Sequence, residues 1–599
     1  MKPSIILGGK SPMLLMKNAF KKLLTIQILS SLASFIGPLI DAIIIGDFLG
    51  SEYIAAFGII SPIVILITAF SNIFNAGSQN LAGRYLGKGD VAKLNGLMSG
   101  TVLWGLVFSL VISFIVFAFA RPLSVFFGAT TENISLCVDY LKMYAIGIMP
   151  TILLPSFIGF LQLDNAGKVG VTASTVMTIA DVVLDLLAVI VFKNGMIGIG
   201  LATSLSYWIA IIIILVHFLG KKTGLRFRGD ALARDIKKVV LLGLPAGTFL
   251  ICNFIRIAIT NNIILSVSDL SSVAAFSIQN SLRPLTICLT VGTGVTCLLV
   301  SSVIVTERNK EALISELKYI LRLGLILSII FAAGLILLAK YPLALMFTVG
   351  EEEAFTDLVT KVIRLFALSV PICMINTVLI YYYQASKNLL RSTIFTVLEN
   401  ILFYILAALV LSKTFGINGI WFSYVIAEVL TLISIFVYVA IKKKKIPTKV
   451  SDYLLLSDDK YLPVNDALNI HASSNDEVVG ISKEIIDFCK SHNINDRESM
   501  IAGLCSEELA AIAIHGNDSK SAYVDVYITY ENNTLTIRLQ DNGKPFDKSL
   551  LAGEVSADDP CANIGIRIAR GLASDVTYNV ILGMNVFVLS IDLTHLSPS

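Results

Sequence analysis

The chain has 599 residues, 55% of them hydrophobic and 15% charged, with a formal net charge of +3 and a mean hydropathy of +0.79. Those values exclude an ordinary soluble domain and describe a polytopic membrane protein. The small net charge hides a split: residues from 450 onward hold 22 Asp/Glu and 10 Lys/Arg, and the remainder holds 21 and 36. A basic membrane part followed by an acidic tail predicts two kinds of domain and argues against a nucleic-acid partner.

The basic segment Met1–Lys22 runs directly into apolar sequence, without the small-residue exit of a cleavable signal. The eight cysteines are scattered, form no metal or disulfide spacing, and read as small core residues. Apolar runs of about 20 residues or more recur down to Ile441. Twelve are expected to span the membrane, at 23–46, 54–82, 96–119, 136–163, 169–192, 196–219, 243–267, 273–305, 319–340, 359–384, 392–412 and 416–441. The fold class is therefore an all-α membrane protein followed by a smaller α+β tail.

Loop charges predict the orientation. The N-terminal segment carries Lys2, Lys10, Lys17, Lys21 and Lys22. Alternate loops carry Arg84, Lys88 and Lys93; Lys168; a basic stretch from Lys221 to Lys238; Arg308, Lys310 and Lys318; Lys387 and Arg391; and Lys442 to Lys445. The opposite loops hold Asp47, Glu52, Asp269 and Glu351 to Glu353. The positive-inside rule places both termini in the cytoplasm and the chain in the cell membrane.

In the fifth run, Asp181 and Asp185 lie about one helical turn apart, so both project from one face. Carboxylates at that depth hold a cation, exchange a proton or line a wet cavity; otherwise they sit near a helix end and reach to water. Glu399 and Glu428, in the last two runs, offer a possible second-lobe site, although Glu399 also fits a span end. Arg256, Arg283 and Arg364 read equally as anchors or substrate contacts. Tyr381, Tyr382, Tyr383 and Gln384 read as an interfacial aromatic belt rather than a cavity lining. Pro150 and Pro155, Pro245 at the opening of the seventh run, and Pro371 predict kinks.

A repeat is visible. Ala55-Ala56-Phe57 recurs as Ala274-Ala275-Phe276, Pro150 as Pro371, and Gly195-x-x-Gly198-Ile as Gly416-x-x-Gly419-Ile, at offsets of 219, 221 and 221. The common offset predicts two six-helix lobes, 1–222 and 223–445, of the same orientation. Such halves make a transporter that rocks around a central cavity.

Residues 1–445 resemble the multidrug and toxic compound extrusion (MATE) transporters, whose wider superfamily includes lipid and polysaccharide exporters. The resemblance rests on Ile40-Asp41-Ala-Ile-Ile-Ile-Gly46, Ala55-Ala56-Phe57-Gly58 and Gly83-Arg-Tyr-Leu-Gly-Lys-Gly89-Asp90. It continues in Val183-Leu184-Asp185 and Gly195-x-x-Gly198-x-Gly200-Leu-Ala-Thr203. It implies efflux of small organic compounds, cationic or amphipathic, in exchange for Na⁺ or H⁺. It also implies a coupling-ion site at Asp41, Asp181, Asp185 and Thr203. Asp181 stands where the family has Asn; its extra charge either tightens cation binding or stays neutralised by a proton beside Asp185.

The run Lys442 to Lys445 reads as an anchor on anionic membrane lipids, with a linker over 446–467. Residues 468–599 alternate as α+β: a loop at His492–Asn495, a helix over Glu498–His515, and strands Tyr523–Tyr530 and Thr534–Gln540 joined by Glu531-Asn-Asn533. This region resembles the nucleotide-binding GHKL fold, in particular the serine-kinase domains of bacterial anti-sigma factors. The matching positions are Glu507, Ala511 and His515, then Asp541-Asn542-Gly543-x-Pro545-Phe546-Asp547, a partial glycine turn at Asn563-Ile-Gly565, and a closing hairpin at Gly583-Met-Asn585. The resemblance implies a nucleotide site at Glu507, His515, Asp541, Gly543 and Gly565, with Asp541 accepting from the adenine amino group. Ala511 replaces the Asn that holds Mg²⁺, and a methyl group cannot coordinate that ion. Phosphoryl transfer relies on metal positioning, so the tail is expected to bind ATP without turnover or to recognise a cytosolic regulatory protein.

The expected function is thus cation-coupled export, not enzymatic catalysis. The alternatives are a membrane receptor that signals through the tail, and a lipid or oligosaccharide flippase. The chain's one Gly-Lys-Ser/Thr, Gly9-Lys10-Ser11, has Ser4 where a phosphate-cradling loop needs its leading Gly, so such a loop to drive transport with ATP is missing.

Overall fold

The computed structural model describes residues 5–6, 14–49, 51–87, 90–127, 129, 131, 133–164, 166–219, 235–268, 270–344, 353–386, 388–455, 466–515, 523–543, 575–581 and 584–593. A backbone in lipid has no water to bond, so apolar runs of this length fold as helices that satisfy their own amides. The first lobe contains α1 (Leu14–Ile44), α2 (Ser51–Gly87), α3 (Val91–Ala118), α4 (Ala120–Phe126), α5 (Ile134–Ala145), α6 (Ile148–Leu163), α7 (Gly167–Leu186) and α8 (Gly195–Leu219). The second contains α9 (Ile236–Val267), α10 (Leu270–Glu307), α11 (Lys310–Leu338), α12 (Glu353–Ala385), α13 (Leu389–Val397), α14 (Phe403–Phe415) and α15 (Ile417–Lys443).

Each of the twelve expected runs falls on these helices. Among the described residues, ten helices are long and apolar enough to cross a membrane, or eleven when α5 and α6, bent by 47°, count as one broken span. The helices carry exposed apolar side chains such as Phe114, Leu337 and Ile441, as a lipid-facing surface requires. The bend between α5 and α6 sits at Ile146–Gly147, just ahead of Pro150. Pro245 does not open its helix: α9 begins at Ile236, because the polar first turns with Lys237 and Lys238 extend it outside the apolar run.

The repeated Gly-x-x-Gly has a local cause. Gly195 and Gly416 each start a helix in the left-handed region, at φ +53° and +57°, where a side chain is strained. Three residues on, a Cβ on Gly198 would lie 2.6 Å from the Ala188 Cβ, and one on Gly419 would lie 2.1 Å from the Leu411 carbonyl oxygen.

The lobes meet at the end that carries the tail. Backbones of α2 and α9 touch there: a Cβ on Gly77 would fall 1.9 Å from the Val239 carbonyl oxygen, and one on Gly243 equally close to that of Ile73. Asn80 Nδ2 donates to the Gln384 carbonyl (3.0 Å), Arg84 to the Ala385 carbonyl (3.3 Å), and the Tyr85 hydroxyl to Asp235 (2.6 Å).

The tail is a six-stranded sheet in the order β1-β2-β3-β4-β6-β5. Its strands are β1 (Ile5–Ile6), β2 (Ala467–Ala472), β3 (Val524–Glu531), β4 (Thr534–Asp541), β5 (Asp575–Ile581) and β6 (Met584–Asp592). The expected hairpin is β3–β4, and its turn is closed by Asn532 and Asn533 at φ +49° and +60°, the left-handed pair that a two-residue hairpin favours. Helices α16 (Asn475–Ser491) and α17 (Asp496–His515) pack over one face of the sheet, around Ile481, Ile485, Leu509, Ile528, Ile537 and Leu589. β1 comes from the segment ahead of α1 and pairs in parallel with β2. The opposite, polar face of the sheet meets the turn between α10 and α11. There Arg538 pairs with Glu307 (2.5 Å), Arg308 with Glu531 (2.7 Å), and Asn309 donates to Asn469 (3.1 Å).

Two charged or polar readings change with the structure. Tyr381, Tyr382, Tyr383 and Gln384 are not an interfacial belt: all four are buried, because α12 continues past them into the contact between lobes. Arg364, by contrast, is exposed, as an anchor would be.

Candidate functional site

Two buried carboxylate clusters occupy the membrane domain. In the first lobe, Asp41 of α1 is 2% exposed, Asp181 and Asp185 of α7 are 4% and 0%, and Thr203 of α8 is buried. α7 packs on both α1 and α8, and the four-residue spacing turns both of its acids toward them. The Asp41 and Asp185 carboxyls are in hydrogen-bond contact, yet Asp41 Oδ1 and both Asp185 oxygens find no donor among the described residues. Two carboxylates hold only acceptors, so such a contact needs a proton or a cation between them. Asp181 Oδ1 accepts from the Ser206 hydroxyl at 2.9 Å, while Thr203 donates to the Ile199 carbonyl at 3.1 Å and its hydroxyl meets that of Tyr140. The structure therefore brings all four expected residues into one buried region. The α7 helix widens into a π-turn at Leu187–Val191, directly after Asp185.

In the second lobe, Glu399 sits in another π-turn, Leu398–Leu402, and faces Glu428 of α15. With Cys373 of α12 they place three ligand atoms within 4.8 Å of one another, the only such trio among the described residues. Asn376 holds Glu428 by donating to its Oε2 at 2.8 Å. This cluster lines a cavity together with Arg283, Asn400, Tyr381, Tyr424, Phe249 and Phe366.

Arginines distinguish this lobe. The Arg256 guanidinium donates to Asn253 (2.6 Å) and Asn400 (3.4 Å) and lies over the rings of Tyr404 and Tyr424 at 5.2 and 5.1 Å. Arg283 also donates to Asn253 and lies 5.9 Å over the Tyr424 ring. Sequence reasoning considered both arginines but missed the amides Asn253, Asn376 and Asn400 that hold the cluster. Amides within strongly apolar runs were the available signal. It also missed Glu316, a buried acid on α11 whose two oxygens accept from Ser301 at 3.0 Å.

In the tail, Glu507 and Ala511 lie on α17 at the expected four-residue spacing, and the helix ends at His515. Asp541 closes β4, with Oδ1 accepting from the Gly543 amide and from Asn585 Nδ2, both at 2.7 Å. Tyr578 in turn donates to Asn585 Oδ1 at 2.8 Å. The second Asp541 oxygen is buried with no donor among the described residues. Burial pushes its carboxyl up to about 6, against the pull of Asn585 and the Gly543 amide. The His515 side chain, Pro545 to Asp547 and Gly565 lie outside the described residues.

Comparison with known proteins adds two family matches: residues 27–187 match the family model MatE, and residues 221–462 match that of the lipid II flippase MurJ. The multidrug export protein MepA of Staphylococcus haemolyticus is 23% identical over 439 residues, 71% of this chain and 94% of that protein. MepA of Staphylococcus aureus strain COL is 20% identical, with 72% and 94% covered. An outward-facing multidrug resistance MATE transporter of the MOP superfamily superposes with a TM-score of 0.67 at 19% identity, over 70% of this chain and 94% of that one. A MOP superfamily transporter from Pyrococcus furiosus, described as having a binding pocket of reversed polarity, gives 0.66 at 19%, over 70% and 94%.

Proposed function

With a MATE-family membrane domain as the premise, we propose that the chain is a secondary antiporter that exports small amphipathic organic compounds in exchange for Na⁺ or H⁺. The observation that carries this reading is the Asp41–Asp185 contact, buried, with Asp41 Oδ1 and both Asp185 oxygens lacking a donor and no basic partner among the described residues. A proton or hard cation satisfies those oxygens. Filling and emptying the site changes the charge of the first lobe, and a charge that favours one lobe arrangement over the other couples ion movement to substrate release. Thr203 and Ser206 complete the oxygen set around Asp181. If the tail end is cytoplasmic, as the loop charges imply, the lobe contacts through Gly77, Gly243 and Asn80 close the inner side and leave substrate release outward.

The tail acts, on this reading, as a regulator seated on the α10–α11 turn through Arg538–Glu307 and Arg308–Glu531, with a degenerate nucleotide pocket around Asp541. Ala511 argues against turnover there. The relatives' multidrug export supports the small-molecule reading, as does the mixed polar and aromatic lining of the second-lobe cavity. The flippase reading draws on one specific observation, the MurJ family match over the second lobe.

Dye efflux from proteoliposomes tests the proposal, with Na⁺ and pH gradients imposed separately. Acceleration by an inward gradient of either ion supports antiport. Efflux at one rate under both gradients and under none would sink it.

A further inference from the structure

The second-lobe cavity presents both charges to its contents. Glu399 and Glu428 line it, and so does Arg283. Neither Arg283 nor Arg256 has a carboxylate within ion-pairing distance among the described residues. Both are nevertheless buried, at 9% and 4% exposure. Their guanidiniums are pinned from behind by the Asn253 amide oxygen and the tyrosine faces, which fixes their direction without neutralising them. A buried guanidinium without an anion is unfavourable by several kcal/mol, and its planar fork matches a carboxylate or phosphate. Tyr424, on the same cavity wall, is almost wholly buried.

We infer that this cavity selects amphiphiles carrying both a cationic nitrogen and an anionic group, the nitrogen at Glu399 and Glu428 and the carboxylate or phosphate at Arg283. The inference rests on the exporter reading for its location and narrows the substrate from amphipathic cations to two-charge molecules. A purely cationic compound satisfies the glutamates but leaves Arg283 buried without an anion. Arg256, held by two amides, sets the background positive charge, and Arg283 reads the ligand. Tyr424 is the shared wall: its ring carries both guanidiniums, and it stands at the repeat position of Thr203 in the first lobe, offset by 221.

The test uses the full chain in nanodiscs and a matched dye pair, a rhodamine with a free carboxylate and its methyl ester, read by fluorescence anisotropy. The free acid should bind about tenfold more tightly than the ester, the scale of one charge-assisted hydrogen bond. Arg283→Gln should remove that preference, and Arg283→Lys should restore part of it. Equal binding of both dyes, tighter ester binding, a preference that survives Arg283→Gln, or no saturable binding of either dye would overturn the inference. Displacement by a short-chain phosphatidylcholine would assign the site to a lipid head group, and failure to displace would assign it to a free solute; both keep the two-charge chemistry. Because binding is read without transport, a lack of ion-driven efflux in the proteoliposomes would remove the exporter reading alone.

Discussion

In the first lobe Asp41, Asp181 and Asp185 are buried with no basic side chain paired to them among the described residues, whereas in the second Glu399 and Glu428 share their cavity with Arg283, and Arg256 sits behind Asn400. The contrast separates two jobs that a rocking transporter needs. Unit charges about 4 Å apart interact by about 4 kcal/mol at an effective dielectric of 20. Acids in contact therefore demand a counter-charge that no basic side chain among the described residues supplies; on the proposed reading an ion from solution does. In the second lobe two acids stand near two guanidiniums that are not ion-paired to them among the described residues, so the cluster offers both charges to a ligand. On the proposed reading, the first lobe binds and loses a cation and the second holds a polar organic molecule.

The largest effect that would break this contrast is expected at Asp185. Asp185→Asn should lower ion-driven dye efflux by on the order of a hundredfold, measured as initial rate in proteoliposomes, with Asp41→Asn close behind. Asp181→Asn should cost less, about tenfold or below, because an amide oxygen still accepts from Ser206. An Asp181→Asn rate as low as that of Asp185→Asn would show that the three acids act as one unit.

The next effect lies at the tail. Removing one partner of a buried ion pair costs about 3–5 kcal/mol, so Arg538→Ala should loosen the sheet from the α10–α11 turn. Disulfide trapping between Arg308→Cys and Glu531→Cys reads this directly: efficient crosslinking in the wild-type background and a severalfold loss with Arg538→Ala. Retained crosslinking would mean that other contacts hold the tail.

The smallest effect is a pH dependence. Burial raises the Asp541 carboxyl to about 6, so the folded tail holds that proton more tightly than the unfolded chain does. Its stabilising contribution is present below the ordinary carboxyl range and is lost as pH rises through about 6. Hydrogen-exchange protection of β6, corrected for intrinsic exchange, should fall over that window, and Asp541→Asn should flatten the trend.

Much of this was legible because a bilayer leaves few options. Apolar runs of this length fold as helices, and acids inside them stand out, which is why Asp181, Asp185, Glu399 and Glu428 were singled out; Asp41 came from the family resemblance. The repeat exposed the two lobes because Gly195 and Gly416 both serve a left-handed start that few other residues adopt. Errors came from helix ends and from distant contacts. Glu316 escaped notice because it lies ahead of the apolar run that begins at 319, but α11 starts at Lys310 and turns that acid toward Ser301. The tyrosines from 381 to 383 were read as a belt because they sit at the end of a run, where sequence cannot tell a lipid interface from a lobe contact. Arg538 and Glu307 are 231 residues apart, and no local pattern links a strand's polar face to a helix end.

The central claim is that the coupling ion binds in the first lobe and not in the second. The most direct test compares efflux with and without an imposed Na⁺ or pH gradient for the wild type, Asp41→Asn, Asp185→Asn and Glu399→Gln in the same proteoliposomes. The account predicts that the gradient accelerates the wild type and Glu399→Gln but not the two aspartate variants. Gradient-driven efflux that survives in Asp185→Asn and disappears in Glu399→Gln would contradict it.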